Sequence, residues 1–207
     1  MPKPMTTNAA KIEIAQPKLF TMGAVMVTSL YGLSLAVPIL VSVLVVSVLK
    51  FGILTAVIPL VALVGTVYFL PFGLGNPHVA RLVRSLNPDA GKAGEGFIVQ
   101  LALWPRVRSG LRAVLEDADD FGYLSFSGAE MCFQGDSVKL TVPLDCIEEV
   151  QVQNIGLRGL FVYGRRIGVV VSGLPNVEAL EFTERSSWLL PTSRKITRKL
   201  HAQLSRK

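Results

Sequence analysis

The sequence predicts an α+β membrane protein, with a two-helix transmembrane hairpin followed by an antiparallel β-domain that ends in a helix. The first observation is an apolar block from Leu19 to Gly75, in which Lys50 is the only charged residue. A bilayer span takes about 20 apolar residues, so this block is long enough for two spans. The second observation is a change to period-two alternation after the block, which is typical of strands. The third is an apolar stripe at every fourth residue near the end of the chain, which predicts a helix.

Four segments follow from these changes: a polar N-terminal tail, the hairpin, an interfacial amphipathic helix with its linker, and the β-domain. Their bounds are, in that order, residues 1–18, 19–75, 76–96 and 97–207. Within the hairpin, the two predicted spans cover about 24–46 and 53–72. The turn between them is expected near Ser47–Gly52, because Lys50 prefers water and Gly52 accepts a turn conformation.

The charges around the hairpin predict its orientation. Lysines precede the hairpin and arginines follow it, whereas its turn has Lys50 alone. The positive-inside rule therefore places both termini and the β-domain in the cytoplasm, and the protein in the inner or plasma membrane. In that compartment Cys132 and Cys146 are expected to be reduced thiols, since a disulfide between them requires oxidising conditions.

Small residues line one face of the first predicted span. Thr28, Gly32 and Ala36 recur every four residues, and such a face lets helix backbones approach closely. Two interpretations remain open: the two spans pack on each other, or they pack on another protein in the membrane. Neither span contains an ionisable residue, which argues against a transporter or a channel.

Short alternating runs bounded by turn residues predict the strands of the β-domain. These runs are Phe97–Trp104, Gly122–Ser127, Glu130–Gln134, Val138–Val142, Pro143–Val150, Gly159–Tyr163, Gly168–Ser172, Ala179–Thr183 and Trp188–Leu190. The last segment, Pro191–Lys207, is predicted to be a helix with Ile196, Leu200 and Leu204 as its apolar stripe. Many strands followed by one helix indicate a small bent sheet or partly open barrel that the helix caps.

One stretch of these strands resembles a known family. The residues that carry the resemblance are Gly122, Leu124, Phe126, Phe133, Val142-Pro143-Leu144, Ile147 and Val150. They match the pattern of GRAM and related bacterial pleckstrin-homology-like domains, so the chain from Phe97 onward resembles that family. The resemblance implies a PH-like sheet with a C-terminal helix. It rests on core and turn positions and implies no catalytic chemistry, and the loop Pro105–Asp120 is longer than the family pattern.

The resemblance also implies a place for a lipid-headgroup site. Phosphoinositide binders of the family use basic residues at the first hairpin, where this chain has Arg106, Arg108 and Arg112. Guanidinium groups bind phosphate oxygens in pairs. An acidic run at residues 116–120 follows at once and opposes their charge, so the alternative is a solvated loop of mixed charge.

The terminal helix is basic. It contains Arg194, Lys195, Arg198 and Lys199, and no acidic residue follows Glu184. Such a helix favours contact with the anionic inner leaflet or with an acidic partner, and the alternative is a solvated face of a capping helix. Nucleic acid is not expected, because no aromatic residues alternate with the basic ones and no nucleic-acid motif is present.

The sequence predicts no enzyme and no cofactor, because it shows no Ser-His-Asp set, phosphate-binding glycine loop or metal-ligand spacing. Two functional hypotheses remain. The first is a membrane-anchored interaction module that docks a protein or contacts the anionic membrane surface. The second is a small accessory subunit of a larger integral membrane complex, with the hairpin as its main contact. The first hypothesis has a cytoplasmic protein or peptide, or the membrane surface, as its partner, and the second has a membrane complex.

Overall fold

The protein is described here from a computed structural model. The described residues are 10–19, 23, 30, 36–49, 52–69, 75–86, 96–106, 118–153 and 166–205. They form an α+β fold with eight strands and four α-helices. The helices are α1 (Ala36–Leu49), α2 (Leu54–Phe69), α3 (Gly75–Leu86) and α4 (Leu190–Leu204). The strands are β1 (Lys11–Ile14), β2 (Gly96–Trp104), β3 (Asp120–Ser127), β4 (Glu130–Gly135), β5 (Val138–Pro143), β6 (Ile147–Gln153), β7 (Arg166–Val171) and β8 (Ala179–Glu184).

All eight strands belong to one curled antiparallel sheet. Their order is β1-β5-β4-β3-β2-β8-β7-β6, so β2 lies in the middle and joins two meanders. On one side β2 pairs with β3, and on the other side it pairs with β8, where Leu101 lies opposite Phe182. A 3-10 turn at Leu144–Cys146 connects β5 to β6. The ends of the sheet are therefore β1 and β6.

One face of the sheet carries the main hydrophobic core. Alternate strand residues point to the same face, so Val99, Leu101 and Leu103 of β2 are all buried together. Phe133 and Phe182 meet in this core, with ring centroids 6.4 Å apart. Leu200 and Leu204 of α4 belong to the same cluster, so α4 closes this face of the sheet, with its apolar stripe directed inward.

The opposite face of the sheet is covered by α3. Val79 and Val83 pack against Ile98 of β2 and Phe121 of β3 in a second apolar cluster. At the start of the helix, Asn76 Nδ2 donates a hydrogen bond to the backbone oxygen of Ser187, 2.5 Å away. The apolar side of this helix, which the sequence assigns to a membrane interface, is thus buried against the sheet.

The predicted transmembrane hairpin is wrong. Helices α1 and α2 pack on each other, and Gly52 between them has a φ of 59°. Their described parts contain 14 and 16 residues, or about 21 and 24 Å of helix, against a bilayer core of about 30 Å. Among the helices of the described ranges, none combines the length and the apolar character that a membrane crossing requires. The predicted location in the inner or plasma membrane, which depended on these spans, is wrong for the same reason.

Several other sequence predictions meet the structure only in part. Of the predicted packing face, Thr28 and Gly32 lie outside the described residues, and Ala36 is the first residue of α1. The strand predicted at Gly159–Tyr163 also lies outside them. The residues predicted as a strand at Trp188–Leu190 instead lead into α4. The curled sheet with its terminal helix neither confirms nor excludes the resemblance to GRAM and PH-like domains, which stays a prediction.

The turn between β3 and β4 yields a test of local backbone geometry. Ser127 pairs with Glu130, which leaves a two-residue turn in which Gly128 has a φ of 60°. Side chains are disfavoured there by about 1 kcal/mol, because Cβ approaches the following carbonyl oxygen. We therefore expect Gly128→Ala to lower the free energy of unfolding by about 1 kcal/mol in urea titrations. Gly128→Asn is the control and should lose less stability, since asparagine tolerates this conformation. An equal loss of stability in both variants would contradict the explanation.

Candidate functional site

The end of the sheet at β6 has an edge that no described strand covers. β6 has seven residues and pairs with β7, for example through Val152 and Ile167. Most of its side chains are exposed, and at an edge of this kind half of the backbone N–H and C=O groups point away from the sheet. Among the described strands, β7 is the one neighbour of β6.

A groove runs between β6 and α4. It has a volume of about 390 Å³ and is lined by Val152 from the strand and by Arg194, Thr197, Arg198 and His201 from the helix. The two arginines and the histidine stand at positions i, i+4 and i+7, which places them on one face of α4. Burial of Leu200 and Leu204 fixes the rotation of the helix, so this face is held beside the strand.

Local hydrogen bonds along α4 position the groove side chains. Thr197 is buried and its Oγ1 donates to the backbone oxygen of Ser193 over 2.9 Å. Arg198 Nε donates to the backbone oxygen of Arg194 over 3.4 Å, which lays this side chain along the helix. Arg194 Nε is buried, and within the described residues no acceptor reaches it. The groove thus presents guanidinium groups that no described carboxylate neutralises.

The described charged side chains that line the groove all come from α4. α4 contains no acidic residue, and Lys195 and Lys199 lie on its exposed side, outside the groove lining. Glu148 and Glu149 stand at the start of β6, outside the groove lining, and Glu149 Oε1 accepts a hydrogen bond from Gln151 Nε2 over 2.6 Å. One end of β6 is therefore acidic, and the other end faces the cations of α4.

The segment before α4 is fixed by a buried carboxylate. Glu184 Oε1 accepts hydrogen bonds from the backbone nitrogens of Ser186 and Ser187, over 2.6 and 2.8 Å. Ser187 in turn receives the bond from Asn76 of α3. These contacts hold the entry to α4, and with it the position of the groove wall.

Of the predicted arginine loop, Arg106 is not part of this groove. Arg106 lies 3.8 Å from Glu181, whose carboxylate also binds Arg166 at 2.7 Å. Glu181 alternates with the buried Leu180 and Phe182, so this ion-pair cluster lies on the other face of the sheet from α4. Arg108 and Arg112 lie outside the described residues. Among the predicted contact residues that the structure describes, Arg194 and Arg198 lie together in the groove, and His201, which the sequence analysis did not single out, joins them.

Two carboxylates of the acidic run are structural. Asp120 Oδ2 accepts hydrogen bonds from the backbone nitrogens of Ser137 and Val138, over 2.7 and 2.6 Å, and its Oδ1 accepts from that of Phe121 over 2.9 Å. Asp119 Oδ2 accepts from the backbone nitrogen of Leu103 over 2.7 Å. Both side chains are buried, so these two residues do not belong to a solvated loop.

Metal and disulfide chemistry find no site in the described part of the chain. There, no group of three or more histidine, cysteine, aspartate or glutamate side chains is placed to hold a metal ion. Cys132 and Cys146 are not joined by a disulfide. The groove beside β6 is therefore the site on which a functional interpretation depends.

Comparison with protein-family models and with curated proteins adds no relative. No protein-family model matches the sequence, and no curated protein matches it. The ligand of the groove has to be inferred from the groove's own residues and contacts.

Proposed function

We propose that this chain is a non-enzymatic interaction module that docks an extended, acidic segment of a partner protein between β6 and α4. The observation that carries the proposal is the groove in which Arg194 and Arg198 of α4 lie beside Val152 of the edge strand β6. The proposal keeps the protein-docking hypothesis from the sequence and omits the membrane anchor.

The edge strand favours an extended ligand. A peptide that adds to β6 satisfies the outward N–H and C=O groups of the strand, and main-chain hydrogen bonds of this kind supply affinity. β6 has seven residues, which is enough for a ligand to pair over several positions. Val152 is 42% exposed in the groove and offers an apolar contact to one ligand side chain.

The spacing of the cations favours acidic residues at alternate ligand positions. Arg194 and Arg198 are four residues apart on a helix, which corresponds to about 6 Å of rise. Two residues of an extended strand cover about 6.6 Å, and they point to the same side. A ligand with carboxylates at positions i and i+2 therefore places both beside the two arginines, where charge-assisted hydrogen bonds form.

The acidic end of β6 sets the direction of the ligand. Glu148 and Glu149 repel carboxylates and attract lysine or arginine at that end. The expected partner segment is therefore asymmetric, with acidic residues near Val152 and basic or neutral residues near Glu149.

The second hypothesis from the sequence, a small structural subunit of a larger assembly, stays a prediction. The observation that favours it is the exposed apolar surface of α1 and α2. That surface is separate from the groove and makes a different kind of contact, so the two roles are compatible in one chain.

Strand addition can be tested by changing the ligand and leaving the protein intact. A peptide is first selected with the full-length chain from a random peptide library, and its binding is measured by fluorescence anisotropy. Two N-methylated series of that peptide then block alternate backbone amides. Because a paired strand uses only one of its edges, we expect one series to abolish binding and the other to leave it nearly unchanged.

The control is the same peptide with its acidic residues replaced by the matching amides, which should weaken binding without changing the N-methyl pattern. Equal effects of both N-methyl series would contradict strand addition. Selection of peptides without acidic residues, or binding of the chain to anionic lipid vesicles in preference to any peptide, would contradict the proposed ligand.

A further inference from the structure

A second pocket, of about 300 Å³, lies on the face of the sheet away from α4. Four neighbouring strands supply its lining, which includes Trp104 of β2, Ala179 and Glu181 of β8, Gly168 of β7, and Gln151 and Gln153 of β6. Trp104 is six residues along β2 from Ile98, which packs on α3, so about 20 Å of strand separates the pocket from that contact. Its volume is at the lower end of the range for small-ligand pockets.

The strand register gives this pocket a low floor and two raised sides. Trp104 pairs with Ala179, and in the next row Gly168 pairs with Glu181 on one side and with Gln151 on the other. The two small residues, Ala179 and Gly168, therefore lie in the middle of the pocket. Trp104 and Gln151 stand on opposite sides, three strand spacings or about 14 Å apart along the sheet.

The indole ring of Trp104 is the apolar side of the pocket. It is 56% exposed, although its backbone is held in the sheet and its carbonyl oxygen accepts a hydrogen bond from the backbone nitrogen of Glu178 over 2.8 Å. The face of an aromatic ring is weakly negative and attracts weakly positive C–H groups. A ligand with a flat face of C–H groups therefore fits against this ring.

The charge in the pocket is already balanced. Glu181 is the one ionisable side chain among the described residues that line it. Its carboxylate lies 2.7 Å from the guanidinium group of Arg166 and 3.8 Å from that of Arg106. A cationic ligand is therefore disfavoured, and a phosphorylated ligand finds no cation among the described lining residues.

The side of the pocket opposite Trp104 carries two amide groups. Gln151 Nε2 donates a hydrogen bond to Glu149 Oε1 over 2.6 Å, which orients the side chain, and its amide oxygen is an acceptor. A Cβ atom on Gly168 would lie 2.8 Å from Gln153 Nε2, so the glycine leaves room for this second amide over the floor. Both glutamines are exposed. They suit a ligand rich in groups that both donate and accept hydrogen bonds.

We infer that this pocket binds an uncharged pyranose sugar. The C–H face of the sugar ring lies on Trp104, and its hydroxyl groups form hydrogen bonds with the amides of Gln151 and Gln153. A pyranose combines the three properties that the pocket selects, since it is uncharged, has an apolar face and has a rim of hydroxyl groups. The site lies on the other face of the sheet from the groove beside α4, so the inference does not rest on the proposed function.

The test is saturation-transfer NMR with the full-length chain and, one at a time, the methyl pyranosides of glucose, galactose, mannose and N-acetylglucosamine. At least one of them should receive saturation, strongest at the C–H protons of one ring face. Trp104→Ala should lower its affinity about tenfold, because the apolar contact is lost. The matched control is Trp188→Ala, which removes the other tryptophan of the chain, also 47% exposed, and should leave the affinity unchanged.

Gln151→Leu gives a second readout that keeps the size of the side chain and removes its hydrogen-bonding groups. It should lower the affinity severalfold. The inference is overturned if none of the four pyranosides receives saturation, if Trp188→Ala loses as much affinity as Trp104→Ala, or if Gln151→Leu binds as tightly as the original protein. Binding of adenosine monophosphate or tetramethylammonium that depends on Trp104, without binding of any pyranoside, would assign the pocket to a charged ligand and would also overturn it.

Discussion

We expect Asp120→Ala to lower the free energy of unfolding by about 4 kcal/mol. The carboxylate accepts hydrogen bonds from the backbone nitrogens of Phe121, Ser137 and Val138, all at 2.6–2.9 Å, and it is fully buried. A hydrogen bond to a charged group contributes about 1.5–3 kcal/mol, and a buried N–H without an acceptor is penalised further. Urea unfolding followed by tryptophan fluorescence measures the loss.

Two variants distinguish the hydrogen bonds of the buried carboxylate from the general effect of removing an acidic side chain. Asp120→Asn keeps one acceptor oxygen of similar shape and should lose about half as much stability as the alanine variant. Glu178→Ala removes an exposed carboxylate and should change the free energy of unfolding by less than about 0.5 kcal/mol. A loss for Asp120→Ala no larger than that for Glu178→Ala would show that the buried carboxylate does not hold the start of β3 to the turn between β4 and β5.

The second large effect concerns the groove. We expect the double variant Arg194→Glu, Arg198→Glu to weaken binding of the selected acidic peptide by about 100-fold. The reason is that two charge-assisted hydrogen bonds contribute about 3 kcal/mol in total. The measurement is anisotropy with the labelled peptide. The matched control, Lys195→Glu with Lys199→Glu, changes the net charge equally but alters the exposed side of α4. It should weaken binding only a few-fold, through long-range attraction.

The salt dependence of binding distinguishes contacts made in the groove from long-range attraction to α4. Exposed charges more than about 10 Å apart are screened at 0.1 M salt, whereas contacts made in the groove are screened less. The difference between the two double variants should therefore persist as salt is raised. If the two variants lose affinity equally at every salt concentration, the ligand senses only the charge of α4 and the groove is not its site.

Much of the β-domain could be predicted from the sequence, because its strands are short alternating runs between turn residues. Phe97–Trp104 was predicted as a strand and lies within β2. The stripe of Leu200 and Leu204 likewise predicted the helix and its buried side. Such local patterns are sufficient where one face of an element is apolar and the other is polar.

The hairpin could not be predicted in the same way. A run of apolar residues has the same composition whether it crosses a bilayer or forms shorter helices, and helix ends are not set by hydropathy. β1 was missed for the opposite reason, since Lys11–Ile14 is only four residues long and becomes a strand through its pairing with β5. The buried role of Asp120 depends on a turn 17 residues later in the chain, which no local pattern records.

Two side chains of the proposed groove were among the contact residues predicted from the sequence, and that contact stays a prediction. Arg194 and Arg198 were recognisable from the charge of the last helix, but their charge did not distinguish them from Lys195 and Lys199. That distinction depends on which side of α4 faces β6, and this follows from long-range packing on the sheet. Arg106 was also predicted as a contact residue, but its ion pair with Glu181 places it on the face of the sheet away from α4.

The unequal ends of the sheet limit how copies of this chain can assemble through their strands. At one end, β1 has four residues and carries Lys11 and Glu13, and short charged strands make poor templates. At the other end, β6 has seven. A fibre that grows by edge-to-edge strand pairing needs two pairing edges on each molecule. A molecule with a single pairing edge can pair with one neighbour and no more. The described sheet, with one short charged edge, therefore opposes fibrillar growth.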